Sequence, residues 1–142
     1  ALTPAIVSQA ESLHEHLDRE SQWRHGHCPV CGSLPLISSL RDKEGNRFCT
    51  CSFCQTDYRV PRLFCPFCGE TEHKKLVFYD IPEEPGYRID ACKSCRMYIK
   101  TSDFRALDKI SVPLLDDLES LHMDILAQQR TFKRPTLSGW GF

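Results

Sequence analysis

The sequence predicts a small metal-bound α+β fold: two tandem four-cysteine ribbons of short antiparallel strands, flanked by an N-terminal and a C-terminal helix. Three observations predict it. Eight of the nine cysteines fall in four Cys-x-x-Cys pairs, Cys28/Cys31, Cys51/Cys54, Cys65/Cys68 and Cys92/Cys95. Two residues between thiols let one tight turn aim both sulfurs at a single ion, and two such turns complete a tetrahedral four-thiolate site. The gaps within each set are 19 residues between Cys31 and Cys51 and 23 between Cys68 and Cys92, which suits a β-hairpin. Finally, Cys65-Pro66-Phe67-Cys68-Gly69 repeats Cys28-Pro29-Val30-Cys31-Gly32 at a distance of 37 residues, so the plan is duplicated.

Taken in order, residues 4–24 read as a helix, with Pro4 in its first turn and Ile6, Ala10, Leu13 and Leu17 at helical spacing. Residues 1–24 form the first unit, read as the remnant of an upstream helical region because the helix starts almost at residue 1. The first ribbon covers 25–62. Leu34–Arg41 is a strand, Asp42–Asn46 a turn, Arg47–Cys51 the returning strand and Thr56–Val60 a third. The second ribbon, 63–103, repeats this with Lys75–Ile81, a turn at Pro82–Gly86, Tyr87–Cys92 and an exit strand at Met97–Thr101. The last unit, 104–142, holds a helix over Pro113–Arg130. Pro113 suits its first turn, Asp116, Asp117 and Glu119 lie near its start, and Leu114, Leu118, Leu121 and Ile125 form one apolar stripe.

The chemistry follows from the thiols. A cysteine-dense segment of this size buries too little core to fold unaided, and one structural zinc site supplies about 10 kcal/mol of apparent folding energy. An odd cysteine count and no signal-peptide pattern in Ala1–Ala10 favour metal over disulfides and a reducing, cytoplasmic setting. Cys28, Cys31, Cys51 and Cys54 are assigned to site one; Cys65, Cys68, Cys92 and Cys95 to site two. Sequential pairing is preferred because each hairpin closes its own site. Four thiolates suit zinc or iron and leave no open position for substrate, so no catalytic residue is assigned and the chain reads as a non-enzyme. Dithiol catalysis is disfavoured because it needs one activated pair at a helix N-terminus, and here hairpins follow the pairs. Iron-based electron transfer is the surviving alternative.

Gly32 and Gly69 close two of the Cys turns with a residue free to take positive φ; Gln55 and Arg96 stand at the equivalent places in the other two, at some strain. Cys49 alternates with Phe48 and Thr50 and reads as a small core residue. His25, His27 and His73 lie near Cys turns but are not needed as ligands; His14, His16 and His122 read as solvated. Basic residues among Tyr58, Phe64, Tyr79, Tyr87 and Tyr98 raise a nucleic-acid ribbon as a second alternative. Charge argues against it: eight deprotonated thiols on two divalent ions take the formal charge from −1 to −5, where phosphate binding needs a basic excess. No apolar run is long enough to insert in a membrane.

The ordered landmarks carry a resemblance. Gln22-Trp23-Arg24 precedes Cys28-Pro29-Val30-Cys31-Gly32-Ser33-Leu34-Pro35. Then come Gly45-Asn46-Arg47-Phe48-Cys49-Thr50-Cys51-Ser52-Phe53-Cys54, Arg62 before Cys65, and Tyr98-Ile99-Lys100 after the last pair. Asp116-Asp117-Leu118-Glu119-Ser120-Leu121, Asp124 and Phe132-Lys133-Arg134 follow. From about residue 20 to 134 the chain resembles the C-terminal part of FdhE-type formate dehydrogenase accessory proteins. The resemblance implies a helical N-terminal region followed by tandem rubredoxin-like, zinc-ribbon modules holding zinc or iron. It also implies a cytoplasmic chaperone role: binding the catalytic subunit of respiratory formate dehydrogenases and assisting its maturation. Tyr58 stands where the family tends to have Trp, Cys49 where it is usually apolar, and the ending after Arg134 departs from the pattern. Tyr58, Arg62, Tyr98, Lys100, Asp116 and Asp117 are the candidates for the partner contact, against a competing role in ribbon-to-helix packing and salt links.

Overall fold

The structure, a computed structural model, describes residues 3–13, 22–82, 85–107 and 109–136. Helix α1 (Thr3–Leu13) is followed by strands β1 (Pro35–Arg41), β2 (Asn46–Cys51), β3 (Asp57–Val60), β4 (Leu76–Asp80), β5 (Tyr87–Cys92) and β6 (Tyr98–Asp103). Two short helices close the chain, α2 (Pro113–Glu119) and α3 (Leu121–Gln129). Every strand sits within two residues of the span its alternation predicts.

The two ribbons are not separate sheets. Strands run in the order β3-β2-β1-β6-β5-β4, one continuous six-stranded sheet. Within each ribbon the pairing is antiparallel; between them, β1 and β6 pair in parallel, Ser38 with Thr101 and Leu40 with Asp103. This seam makes β1 and β6 central strands, which explains why six of the seven residues in β1 and five of the six in β6 are buried. Ser38, Ser39, Thr101 and Ser102 therefore lie inside, and Ser38 Oγ and Thr101 Oγ1 share a hydrogen bond of 2.5 Å across the seam. Ser39 Oγ accepts from Arg41 Nε (3.0 Å) and Ser102 Oγ bonds Ser111 Oγ (3.2 Å), so each buried hydroxyl has a partner.

Two apolar clusters flank the sheet. Ala10, Cys49, Tyr58, Val60, Phe64 and Ile99 gather on one side, with Ile6 and Trp23 against them. Tyr87, Ile89, Tyr98, Met123, Ala127 and Phe132 gather where α3 packs on β5 and β6.

Both terminal helices depart from the periodic reading. Within the described residues α1 ends at Leu13, and Gln22–Arg24 are not helical; Leu17, His14 and His16 lie outside the described residues. Trp23 is held by β3 instead: its N–H donates to Arg59 O (2.8 Å) and its indole N–H to His27 O (2.8 Å). The C-terminal helix is broken at Ser120, whose hydroxyl donates to Asp116 O (2.5 Å), the local competition that bends helices.

That helix pair is also turned inside out relative to its apolar stripe. Leu114, Leu118 and Ile125 are 46%, 36% and 51% exposed, whereas Asp116, Asp117 and Asp124 are at most 2% exposed. Buried counter-charges decide the orientation. Lys100 Nζ, fully buried on β6, meets Asp117 Oδ1 at 2.8 Å and Asp124 Oδ2 at 2.7 Å; Arg134 meets Asp117 Oδ1 at 2.5 Å and Asp124 Oδ1 at 3.2 Å. Two cations and two carboxylates cancel, and Tyr98 donates to Asp124 Oδ1 at 2.6 Å. Arg134 also donates to Leu36 O (3.1 Å), so the network ties the segment after α3 to β1.

Candidate metal centres

Each of the four Cys turns uses the same backbone device. The N–H of the first cysteine donates to the carbonyl five residues on: Cys28 to Ser33 (2.8 Å), Cys51 to Thr56 (2.9 Å), Cys65 to Glu70 (2.8 Å) and Cys92 to Met97 (3.0 Å). The residue after the second cysteine has positive φ in every case: Gly32 at 79°, Gly69 at 80°, Gln55 at 63° and Arg96 at 63°. Backbone N–H groups then point at sulfur, with Val30 N–H on Cys28 Sγ and Phe53 N–H on Cys51 Sγ, both at 3.4 Å. Such donors stabilise thiolate charge.

The hairpins bring the turns together in two groups, Cys28 with Cys31, Cys51 and Cys54, and Cys65 with Cys68, Cys92 and Cys95. In each group the four sulfurs lie within 4.8 Å of one another. Four thiolates about 2.3 Å from a tetrahedral ion sit about 3.8 Å apart. Sulfur separations of 3.6 Å for Cys28–Cys54, 3.3 Å for Cys31–Cys51, 3.7 Å for Cys65–Cys95 and 3.6 Å for Cys68–Cys92 match that tetrahedron. The donor set therefore fits a zinc or iron ion in either place. No histidine belongs to either group, and Cys49 stands apart, fully buried, its thiol pushed up to about 11 by desolvation.

Without an ion the sulfurs of a group must share protons. In the first group Cys28 is held down to about 5, chiefly by hydrogen bonding from Cys51, while Cys51 is pushed up by the same bond and by burial. One thiolate sheltered by protonated neighbours is a site poised for a cation. Cys31 and Cys68 remain exposed, so each group has one sulfur at the surface.

The two centres lean on each other. A Cβ built on Gly26 would lie 1.5 Å from Pro66 O, so only glycine lets the approach to the first Cys turn pass the third. Tyr58, buried beneath, fixes that approach by donating to Gly26 O at 2.7 Å.

The candidate partner residues are placed differently from a contact surface. Tyr58, Tyr98, Lys100, Asp116 and Asp117 are 0–5% exposed; among the six, only Arg62 is at the surface. The ion network holds Tyr98, Lys100 and Asp117, the Gly26 contact holds Tyr58, and Ser111 donates to Asp116 Oδ2 at 2.6 Å, so their polar groups are consumed internally. What sequence reasoning missed here is that network: an exposed-looking Lys100 and an acidic helix start are each ordinary alone, and Arg134 completes the set from 34 positions beyond Lys100.

Family models for the FdhE central domain and the FdhE C-terminal domain match residues 27–62 and 63–139. The chain belongs to the FdhE family. A protein FdhE homolog from Aquifex aeolicus is 37% identical over 134 residues, 92% of this chain and 46% of that protein. One from Haemophilus influenzae strain PittEE is 33% identical, over 96% of this chain and 41% of its own length. The crystal structure of the FdhE protein from Pseudomonas aeruginosa superposes with a TM-score of 0.81 at 29% identity, covering 94% of this chain and 47% of that one. The chain thus spans just under half the length of the FdhE relatives it matches. Among the described residues no helix is long and apolar enough to cross a membrane.

Proposed function

We propose that this FdhE chain is a non-enzymatic accessory module that binds the catalytic subunit of formate dehydrogenase in the cytoplasm and assists its maturation. In this reading Cys28, Cys31, Cys51 and Cys54 hold one zinc or iron ion and Cys65, Cys68, Cys92 and Cys95 the other, both structural. The observation that carries it is the pair of closed four-sulfur clusters fused through one sheet within an FdhE-family chain. Four protein ligands leave no position for substrate, and a fused sheet holds the two centres at fixed separation. The test is co-purification with a formate dehydrogenase catalytic subunit, comparing this chain and a full-length FdhE relative with their Cys28→Ala forms. Capture that is lost on Cys28→Ala supports the reading; no capture by the full-length protein overturns it.

The surface-exposed sulfurs of Cys31 and Cys68 favour a second reading, one-electron transfer through iron, which needs a short path to solvent. Anaerobic protein whose visible absorption bleaches and recovers with reductant and oxidant supports it; a colourless, active protein removes it.

A further inference from the structure

On the face of the sheet away from α3, a cavity of about 170 Å³ opens between the two ribbons. The strands explain its position. Val77 and Tyr79 of β4 pack into the Met123 cluster, so the alternating Leu76 and Phe78 project to the other side. There they meet Phe64 and Phe67 of the chain crossing from β3 to β4, with Ile99 as floor. A volume near 150 Å³ lined by apolar side chains admits a benzene ring. The rim is apolar and exposed: Leu63 is 59% and Phe78 63% exposed.

One end of this cavity is cationic. Arg47, Arg62 and Arg88 line it together with a single carboxylate, Asp90. The Arg47 side chain is 3% exposed, and its Nη2 makes no hydrogen bond; its nearest counter-charge, Asp90 Oδ2, is 3.7 Å away. Arg88 Nε pairs with the other oxygen of Asp90 at 3.1 Å. The register fixes the polarity. Phe78 faces Asp90 and Asp80 faces Arg88, while Leu76 faces Cys92, so Arg88 lies four strand residues, about 13 Å, along β5 from Cys92; Arg47 sits nearer the second centre, donating to Phe64 O at 2.7 Å. Arg88 is therefore the cation of this set that stands away from Cys92 along β5.

Beside the cavity, β4 is an edge strand of the sheet. Its outward N–H and C=O groups are a template for another strand. From these juxtapositions we infer that the cavity is a docking site for an extended peptide bearing a large apolar side chain, with a carboxylate side chain two residues away. Added along β4, such a peptide places residues i and i+2 on one face about 7 Å apart. That separation matches the step from the Phe78 rung to the Arg88 rung. The apolar side chain packs over Phe78 into the mouth of the cavity and the carboxylate takes the Arg88 guanidinium, on the strand next to β4. The inference does not depend on the accessory reading above.

The test is fluorescence anisotropy with a labelled serine-based heptapeptide carrying a central phenylalanine and an aspartate two residues to either side, which serves both strand directions. Replacing the phenylalanine by alanine, or both aspartates by asparagine, is expected to weaken binding about tenfold, the scale of one hydrogen bond to a charged group. The protein variants Phe78→Ala and Arg88→Gln should do the same, while Leu115→Ala on the opposite face changes nothing. Phe78 is exposed, so its variant reports on the site even if Arg88→Gln fails to fold. No binding, equal binding of the asparagine or a lysine peptide, or displacement of the peptide by phenylacetate at lower concentration would overturn the inference.

Discussion

The residue after each Cys-x-x-Cys pair carries a conformational burden that side chains of L-residues resist. A left-handed backbone costs a non-glycine residue about 1–2 kcal/mol, and Gln55 and Arg96 bear it where Gly32 and Gly69 do not. Gln55→Gly is expected to raise the stability of metal-loaded protein by about 0.5–1 kcal/mol in urea unfolding, after the glycine's greater unfolded-state entropy is set against the strain. Arg96→Gly should not show that gain. Arg96 stacks on Phe132 at 4.3 Å and donates to Arg130 O at 3.2 Å, contacts that its removal forfeits. Cys49 makes a further residue-scale prediction. Its folded-state value near 11 lies above the ordinary 9.0, so its contribution is complete below about pH 9 and declines as pH rises toward 11. At pH 8 it should resist iodoacetamide long after the already exposed Cys31 and Cys68, freed of metal by chelation, have reacted, as peptide mapping by mass spectrometry would show.

Elements were legible in the sequence where a local rule governed them. Alternation and Cys spacing located all six strands and the eight cysteines that the structure gathers, because a hairpin and a Cys turn are both local. The parallel β1–β6 seam was not legible, since its partners are more than sixty residues apart and no local rule pairs strands from different ribbons. The C-terminal helix failed for a related reason. Amphipathic reasoning assumes the apolar stripe faces inward, but Lys100 and Arg134 place buried charge beneath Asp117 and Asp124, and an unpaired buried charge is costlier than an exposed leucine. Lys100→Met should therefore destabilise by about 3–5 kcal/mol, measured by denaturant unfolding. Leu118→Ser, on the exposed face of α2, should stay within about 0.5 kcal/mol of the parent. At the contact between Cys turns, Gly26→Ala forces Pro66 aside and should cost about 1–3 kcal/mol, with amide shifts in both ribbons.

Across the whole molecule, the two clusters and the single sheet make one unit. Each four-sulfur cluster closes a hairpin, each ribbon contributes three strands, and β1–β6 joins the halves. The Asp–Lys–Arg network then anchors the C-terminal helices to β6 and Arg134 to β1. Binding energy at a metal site is folding energy when the site does not exist in the unfolded chain, so each ion should support structure beyond its own ribbon. The most direct test is native mass spectrometry of the intact chain beside Cys28→Ala and Cys65→Ala. The account expects two divalent ions in the parent and one in each variant. A single ion in the parent, or both ions lost when Cys49 alone is replaced by valine, would contradict it.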